Sequence, residues 1–275
     1  MPISVATEDE FNSLTASVQA IASRVTATEA DIVKLKDAQS PLPTPTPIPA
    51  STTAVYIPLF MGPGTAWNTV VSLKQKYLNQ TIIVCFNPSN GNFTGRDTNM
   101  GNGLINLKNS GTKIQGYCYT GYGNRPMADV QKVINNYKQF YPEVSGIFLD
   151  EMSNSGGKEQ YYKDITNFCH SNGFNYVMGN PGTSSTLSYV DTVDNVLVYE
   201  SAGAPSLATV QQRTFNAQPN KSKYGIIPYG VPTLDPAYVK SVKPYLGTLY
   251  ITNDSGSNPW DTIPSYLEQL IQALQ

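Results

Sequence analysis

From residue 54 onward, short apolar runs alternate eight times with stretches whose apolar residues recur at helical spacing. Runs of this length that are rich in β-branched and aromatic residues are typical of buried strands. The eight runs are AVYIPLFM (54–61), TIIVCFNP (81–88), KIQGYCYTG (113–121), GIFLDEM (146–152), YVMGNPG (176–182), NVLVYES (195–201), YGIIPYGV (224–231) and TLYITND (248–254). Eight strand–helix units predict an α/β fold, the (β/α)8 TIM barrel.

The helical stretches between the runs include TAWNTVVSLKQKYL, MADVQKVINNYKQFY, KEQYYKDITNFCHSNG and SLATVQQRTF. The last stretch, DTIPSYLEQLIQALQ, predicts a closing helix with Asp261 near its start and Pro264 in its first turn. A doubly wound open sheet is the alternative fold. That fold would place a glycine-rich phosphate turn after the first strand, and Met-Gly-Pro-Gly-Thr (61–65) is too short and is broken by proline.

Residues 8–38 carry a heptad pattern ahead of the barrel. The apolar positions, which step alternately by three and four residues, are Phe11, Leu14, Val18, Ile21, Val25, Thr28, Ile32 and Leu35. This is the a/d seam of a coiled coil, interrupted by Thr28. Because a lone helix of this length is marginal in water, the seam predicts self-association, and its β-branched residues favour a trimer. The alternative is a helix that packs back on the main domain.

Residues 40–53, SPLPTPTPIPASTT, alternate proline with threonine and so exclude both helix and sheet. They favour extended polyproline II, at about 3.1 Å per residue, as a semi-rigid spacer. The predicted organisation is therefore a coiled-coil oligomerisation helix (1–39), a Pro/Thr-rich linker (40–53) and a (β/α)8 domain (54–275). This layout is typical of a domain displayed at a distance from an assembly.

The composition narrows the classes of partner. Charged residues make up 14% of the chain and the formal net charge is −2, which gives no electrostatic reason to expect nucleic acid or an anionic membrane. No apolar run approaches the ~18 residues of a membrane span. The N-terminal residues show no basic and apolar segments of a signal peptide. The 18 tyrosines suit a neutral polar ligand, because tyrosine offers an apolar face and a hydroxyl.

The cysteines and the histidine do not match the motifs of disulfide-rich, zinc-binding or Ser-His-Asp proteins. The chain has three cysteines, Cys85, Cys118 and Cys169, which is an odd number, and none of them shows CxxC spacing. We therefore expect them to be small buried hydrophobic residues that form no disulfide and bind no zinc or cofactor. The one histidine, His170, precedes Ser-Asn-Gly at a predicted helix end, where a cation complements the helix dipole. Ser-His-Asp chemistry would require His170 itself, and no GxSxG elbow occurs.

Acids end the fourth and sixth runs, where a TIM barrel places its active site. The candidate catalytic residues are Asp150, Glu151 and Glu200. Because a strand alternates its faces, Asp150 shares a face with Phe148, and Glu200 shares one with Val198. Acids from strands four and six are thus expected to face each other across the barrel mouth, as glycoside hydrolysis requires of its two carboxyl groups.

Tyrosines and amides near other strand ends complete the candidate site, since tyrosines stack on sugars and amides bind hydroxyls. The predicted substrate-binding residues are Tyr56, Asn87, Tyr119, Tyr122, Asn180, Tyr229 and Asp254. The set contains no basic cluster for phosphate and no His-rich group for a metal.

Each acid also has a simpler interpretation. Asp150 and Glu151 could cap the following helix. That helix is predicted to start near Lys158, however, and Ser153, Asn154 and Ser155 lie closer to its start. Glu200 could be a solvated loop acid, and Asp254 could form a turn before Ser-Gly.

Five motifs together resemble one family. In order along the chain, YIPLFMGPG, FNPSNG, GYCYTGYG, GIFLDEM and VYES resemble the spherulin-4 family, which is close to glycoside hydrolase family 135. The resemblance covers about residues 54–275 and implies a (β/α)8 barrel. It also implies an endo-acting glycosidase for α-1,4-linked, galactosaminogalactan-type polysaccharide. The family's essential acids correspond to Asp150, Glu151 and Glu200.

The setting differs from that of the usual secreted members, because this chain carries a heptad segment and no predicted signal. The stretch VATEDEFNSLTASV resembles virion-associated phage proteins, which implies an extracellular or virion-associated depolymerase. Expected partners are a polysaccharide substrate, further copies of the chain through residues 8–38, and a virion or surface assembly.

The first hypothesis is therefore an endo-glycosidase acting on an amino-sugar polysaccharide. Asp150 is the expected nucleophile or stabiliser and Glu200 the acid/base, although the two roles can be exchanged. Glu151 would hold the substrate or raise the pKa of Asp150 by repulsion. The alternative is a non-catalytic glycan-binding module on an oligomeric stalk. A structural spacer, the third possibility, does not explain acids and tyrosines at strand ends.

Overall fold

The computed structural model describes residues 7–37, 52–216 and 220–275. The chain divides into two compact units, residues 1–50 and 51–275. Most of the predicted linker, residues 40–51, lies outside the described residues.

The first unit contains a single described helix, α1, Glu8–Asp37. The predicted helix is thus present. Four seam residues, Leu14, Val18, Ile21 and Val25, are each more than half exposed in the single chain. The side chains of the remaining seam positions lie outside the described residues. A long helix with such a stripe of exposed aliphatic side chains matches the heptad pattern, and its self-association stays a prediction.

The second unit is a closed barrel of eight parallel strands in sequential order, β1 to β8. The strands are β1 (Ala54–Leu59), β2 (Ile82–Phe86), β3 (Lys113–Tyr119), β4 (Gly146–Asp150), β5 (Tyr176–Gly179), β6 (Asn195–Tyr199), β7 (Tyr224–Ile226) and β8 (Thr248–Leu249). Strand β1 pairs with both β2 and β8, which closes the sheet. The predicted TIM barrel is confirmed, and the open doubly wound sheet is excluded.

Helices follow the strands on the outside of the barrel, as right-handed crossovers between parallel strands require. The helices of this unit are α2 (Thr65–Lys76), α3 (Thr98–Ser110), α4 (Met127–Phe140), α5 (Glu159–Ser171), α6 (Leu187–Val190), α7 (Leu207–Arg213), α8 (Pro236–Val242) and α9 (Leu267–Leu274). Three of the crossover helices are short: α6 has four residues, and α7 and α8 have seven each.

Aromatic side chains fill the barrel beneath its mouth. The rings of Tyr56 and Phe148 stack with centroids 5.6 Å apart, and Phe148 lies 6.1 Å from Tyr117. Close packing outside the sheet depends on Gly116, because a Cβ there would lie 2.6 Å from the ring of Tyr137. The interior is therefore a packed core that supports the mouth from below.

The end of the chain differs from its prediction. Strand β8 comprises only Thr248–Leu249, whereas the apolar run extended to residue 254, and helix α9 begins at Leu267 rather than near Asp261. The segment between them bonds to the rim of the barrel instead. The Thr252 carbonyl accepts from Val231 N and the Asp254 carbonyl from Gly230 N. Tyr250 N and Thr252 N also donate to the Ile226 and Pro228 carbonyls, so the chain after β8 still follows the backbone of β7 and its extension.

All three cysteines are buried and free, as predicted. His170 lies in the last turn of α5, and its Nε2 is 2.9 Å from Asp194 Oδ2. No helix in the described parts of the chain combines the length and the apolar character needed to cross a membrane.

Candidate active site

A pocket of about 400 Å³ opens at the carboxyl ends of the strands. It contains acids, amides, hydroxyls and aromatic rings. Its lining residues are Pro58, Phe60, Asn87, Ser89, Asn90, Tyr117, Phe148, Asp150, Asn180, Glu200, Ile227, Ser257, Asn258 and Trp260. Its position is the one at which TIM-barrel enzymes carry their active sites.

Asp150, the last residue of β4, is held from two sides. Tyr117 donates its hydroxyl to Asp150 Oδ2 at 2.8 Å, and Asn180 donates Nδ2 to Asp150 Oδ1 at 2.9 Å. These two donors fix its orientation and favour its ionised form.

Asn180 joins this acid to the second one. Its Nδ2 also donates to Glu200 Oε2 at 2.7 Å, while its Oδ1 accepts from Gly182 N at 3.0 Å. The backbone bond to Oδ1 fixes which end of the amide faces the acids. Asp150 and Glu200 therefore bind the same amide nitrogen, which places the ends of strands β4 and β6 on either side of one small site.

Both carboxyl groups have shifted acidities. Burial raises the pKa of Asp150, although hydrogen bonds from Tyr117, the Glu151 backbone and Asn180 oppose the shift. Burial also raises the pKa of Glu200, and the negative charge of Asp150 raises it further, against hydrogen bonds from Asn180 and Trp260. Glu200 thus has fewer donors and an acidic neighbour, which suits a group that must hold a proton.

Glu151 does not line the pocket, although it follows Asp150 directly. Its backbone is left-handed, at φ 50°, a costly conformation for a residue with a side chain. Its carbonyl accepts from Tyr122 N and from Thr120 Oγ1, each at 2.7 Å. These bonds hold the left-handed turn that follows Asp150.

The structure places two predicted sugar contacts, Asn87 and Asn180, in the pocket. Asn87 donates Nδ2 to Asn90 Oδ1 at 3.1 Å, within the short turn that follows β2. That turn contains left-handed Ser89 and Asn90 at the pocket rim. Backbone strain of this kind is concentrated at functional sites.

Three predicted tyrosines lie near the mouth without lining the pocket. Tyr119 is half-buried, with the Arg125 guanidinium 3.9 Å from its ring centroid. Tyr122 is 58% exposed, in a left-handed turn at φ 56°. Tyr229 packs edge-on against Trp260, with centroids 5.8 Å apart. Tyr229 thus supports a pocket residue from behind.

Two predicted contacts do not fit their positions. Tyr56 lies inside the barrel with no exposed surface, stacked on Phe148, so it cannot touch a sugar in this structure. Strand alternation points it into the core below the mouth. Asp254 does not line the pocket, and its carboxylate binds Ser255 and Thr262 within its own loop. Its turn-forming interpretation agrees with this position.

Several pocket residues were not predicted. Tyr117 ends the third run together with Tyr119, on the same strand face, but the predicted substrate-binding set does not include it. Trp260 is one of two tryptophans in the chain, and it follows a Gly, Ser, Asn and Pro segment after the eighth strand. Ser257 and Asn258 belong to that segment and give no signal of their own.

Among residues 7–37, 52–216 and 220–275, no group of three or more His, Cys, Asp or Glu side chains could hold a metal ion. The ionisable side chains that line the pocket are those of Tyr117, Asp150 and Glu200.

Comparison with known proteins gives a family. Residues 54–274 match the sequence model of the family described as Spherulation-specific family 4. Spherulin-4 of Physarum polycephalum is 33% identical over 150 residues, which cover 54% of this chain and 45% of that protein. The matched part therefore spans less than half the length of this relative.

Solved structures share the fold. Sph3 of Aspergillus clavatus, in complex with GalNAc, has a TM-score of 0.70 at 21% identity, over 82% of this chain and 98% of that chain. The endo-beta-N-acetylglucosaminidase of Cordyceps militaris, in apo form, has a TM-score of 0.52 at 15% identity, over 82% of this chain and 91% of that chain. At these identities the likeness concerns the fold.

Proposed function

Because the chain belongs to Spherulation-specific family 4, we propose that its barrel is a glycoside hydrolase that cuts an amino-sugar polysaccharide at internal bonds. The observation that carries this proposal is that Asp150 and Glu200 bind the same amide nitrogen, that of Asn180, in a pocket at the barrel mouth. Two carboxyl groups on one small site are what glycoside hydrolysis requires.

The spacing supports a retaining mechanism. Asp150 Oδ1 lies 2.9 Å and Glu200 Oε2 lies 2.7 Å from the same nitrogen. The two oxygens are therefore less than about 6 Å apart, close to the ~5–5.5 Å of retaining enzymes and short of the ~6.5–9.5 Å of inverting ones. Little room remains between these oxygens for the water that inversion places there.

The hydrogen bonds support one assignment of the two roles. Asp150, held ionised by Tyr117 and Asn180, attacks the anomeric carbon while Glu200 gives its proton to the glycosidic oxygen that leaves. The resulting Glu200 carboxylate then takes a proton from water, whose oxygen attacks the anomeric carbon and releases Asp150. Glu151 acts through its backbone N–H, which helps to keep Asp150 ionised.

The lining favours an uncharged or amino sugar. Among the described residues that line the pocket, none is Lys, Arg or His, so a sulfate or uronate group would face two acids without a counterion. Asn87, Ser257 and Asn258 offer amides and a hydroxyl to sugar hydroxyl and acetamido groups. The GalNAc bound to Sph3 and the substrate named for the Cordyceps militaris enzyme support an amino-sugar, galactosaminogalactan-like substrate.

The test is cleavage of purified galactosaminogalactan, followed by the appearance of new reducing ends. Asp150→Asn and Glu200→Gln should each lose about 10²–10⁴-fold in kcat, the usual contribution of a proton-transfer or nucleophilic group. Asp164→Asn, on the outer helix α5, is the matched control and should cleave normally. Near-normal activity in either pocket variant would contradict the assignment.

The same assay separates the enzyme from a glycan-binding module. If the wild type binds the polysaccharide but generates no reducing ends from any amino-sugar polymer tested, the non-catalytic module is the better interpretation. Early products examined by NMR report the anomer, which should keep the configuration of the bond that was cut.

The setting is also part of the proposal. Residues 8–38 join copies of the chain into a trimer that displays the barrels outside the cell, on a virion or another surface assembly. The exposed aliphatic stripe of α1 supports the self-association. Mass spectrometry of purified virions from the source would test the display, and absence of the chain from every particle preparation would count against it.

A further inference from the structure

The connection between β8 and α9 is longer than its role as a linker requires. It spans about 17 residues, beyond the ~12–15 at which unstructured loops become uncommon and usually functional. Residues 254–262, which we call the pocket loop, contribute Ser257, Asn258 and Trp260 to the pocket wall. These three residues can line the pocket only if the pocket loop keeps one conformation.

Asp254 and Thr262 close the two ends of the pocket loop. Asp254 Oδ2 accepts from Thr262 Oγ1 at 2.7 Å and from Thr262 N at 3.0 Å, while Oδ1 accepts from Ser255 N at 2.8 Å. Burial acts to raise the pKa of Asp254, but the bonds from Thr262 and Ser255 outweigh it and lower that pKa. The carboxylate is thus satisfied by its own loop and has no free role toward a substrate.

The closed loop presents Trp260 to the pocket. The indole is 7% exposed and packs edge-on against Tyr229, with Tyr250 6.3 Å away on another side. The Trp260 carbonyl accepts from Phe60 N at 3.2 Å, which ties the loop to the end of β1. Trp260, which lies beside Glu200, thus sits in a loop that is anchored both at β1 and at its own two ends.

We propose that Asp254 and Thr262 are positioning residues that fix the pocket loop, and that this loop determines which sugar the site accepts. The apolar indole edge would contact the ring of a neutral or amino hexose, and Ser257 and Asn258 would bind its polar substituents. The identity of the sugar in this inference rests on the proposed function. The closure of the pocket loop by Asp254 and Thr262 does not depend on that function.

A matched set of threonine variants tests the closure. Thr262→Val removes the hydroxyl that binds Asp254 and keeps the size of the side chain, and Thr262→Ser restores that hydroxyl. Thr166→Val is the control, because it removes a hydroxyl bond of 2.8 Å to the Thr192 carbonyl on the outer side of the barrel. All variants are made in the full chain, and circular dichroism confirms that they fold.

The first readout needs no ligand. Of the two tryptophans, Trp67 is buried beside α3, so acrylamide quenching that increases on mutation reports Trp260. Thr262→Val should at least double the quenching constant, whereas Thr262→Ser and Thr166→Val should match the wild type. Unchanged quenching in folded Thr262→Val, or an equal increase in Thr166→Val, would overturn the proposal.

The second readout is kinetic, on galactosaminogalactan. Loss of one hydrogen bond should raise KM by about 5–10-fold in Thr262→Val, with a smaller change in kcat. A fall in kcat with unchanged KM would place the effect on the acids and contradict a role in sugar acceptance. If the wild type cleaves nothing, the proposed function fails while the quenching experiment still decides the closure.

Discussion

At the scale of single residues, the Asn180 amide sets the properties of both acids. It donates to Asp150 and to Glu200, and each bond opposes the upward pKa shift that burial causes. In the proposed mechanism activity is lost below the pKa of Asp150, which must be ionised. It is also lost above the pKa of Glu200, which must be protonated. The bell-shaped profile therefore depends on this one side chain.

Asn180→Ala should move both limbs of the kcat/KM profile to higher pH, since it removes a donor that favours each ionised form. The rate at the optimum should fall about 10–100-fold because both acids lose their orientation. Asn79→Ala, on an exposed turn, is the control and should leave the profile in place. A shift to lower pH would contradict the donor role of the amide.

The raised pKa of Glu200 also lowers the free energy of unfolding at neutral pH. A carboxyl group whose folded pKa exceeds its unfolded value stabilises the fold below the unfolded pKa, and that contribution is lost as pH rises through the folded pKa. Glu200→Gln removes this loss at pH 7. The variant should therefore be more stable than the wild type there, with a higher Tm.

Differential scanning calorimetry at pH 7 and at pH 3 checks this expectation. The gain should disappear at the lower pH, where Glu200 is protonated in both states. A variant that is less stable than the wild type at pH 7 would show that the ionised carboxylate is well compensated in its pocket.

The alternation of faces along a strand explains which pocket residues could be predicted from the sequence. Asp150, Asn180 and Glu200 end strands whose apolar runs are unmistakable, and the structure brings them together. Tyr56 shows the weakness of the same reasoning, because it lies in the middle of β1 and alternation sends it into the core. Trp260 could not be placed from sequence, since its position depends on hydrogen bonds between Asp254 and Thr262 that no periodicity encodes.

At the scale of elements, the loops after β3 and β4 are joined by Thr120. This buried residue donates its backbone N–H to the Asp150 carbonyl at 2.9 Å, and its Oγ1 lies 2.7 Å from the Glu151 carbonyl. The hydroxyl also meets Tyr162 OH at 3.0 Å. The left-handed turn at Glu151 is thus held by a side chain on the neighbouring strand's loop.

Thr120→Val should lower kcat about 10-fold with little change in KM, because a relaxed turn withdraws the Glu151 N–H from Asp150. Thr120→Ser keeps the hydroxyl and should recover most of the rate. If valine and serine at this position behave alike, the methyl packing of Thr120 matters and the hydroxyl does not.

The contacts between elements also explain why the predicted boundaries of the eighth strand were wrong. The run TLYITND reads as one strand, yet the sheet uses only Thr248–Leu249 of it. The residues that follow are buried, and Tyr250 N and Thr252 N still donate to the Ile226 and Pro228 carbonyls, although the regular strand has ended. A single sequence does not show where regular pairing stops within a buried run. The barrel itself was predictable because it repeats one unit eight times.

At the scale of the whole molecule, the exposed stripe on α1 predicts association. Leu14, Val18, Ile21 and Val25 are spaced by four, three and four residues, and each is at least half exposed in the single chain. Burying such a seam between helices contributes about 25 cal/mol per Å² of apolar surface removed from water. Three copies would also carry three barrels, so a weak site could bind a long polysaccharide by avidity.

Light scattering of the full chain should therefore give three times the mass of one chain. Leu14→Asn combined with Ile21→Asn buries polar groups in the seam and should give monomers. Ala16→Asn combined with Ser23→Asn places asparagine away from the seam, where it costs only helix propensity, and should leave the trimer intact. If the full chain and residues 54–275 both run as monomers, the heptad interpretation is wrong. If the monomeric double variant cleaves short oligosaccharides as well as the trimer but loses activity on long polymer, the stalk acts through avidity and not through the site.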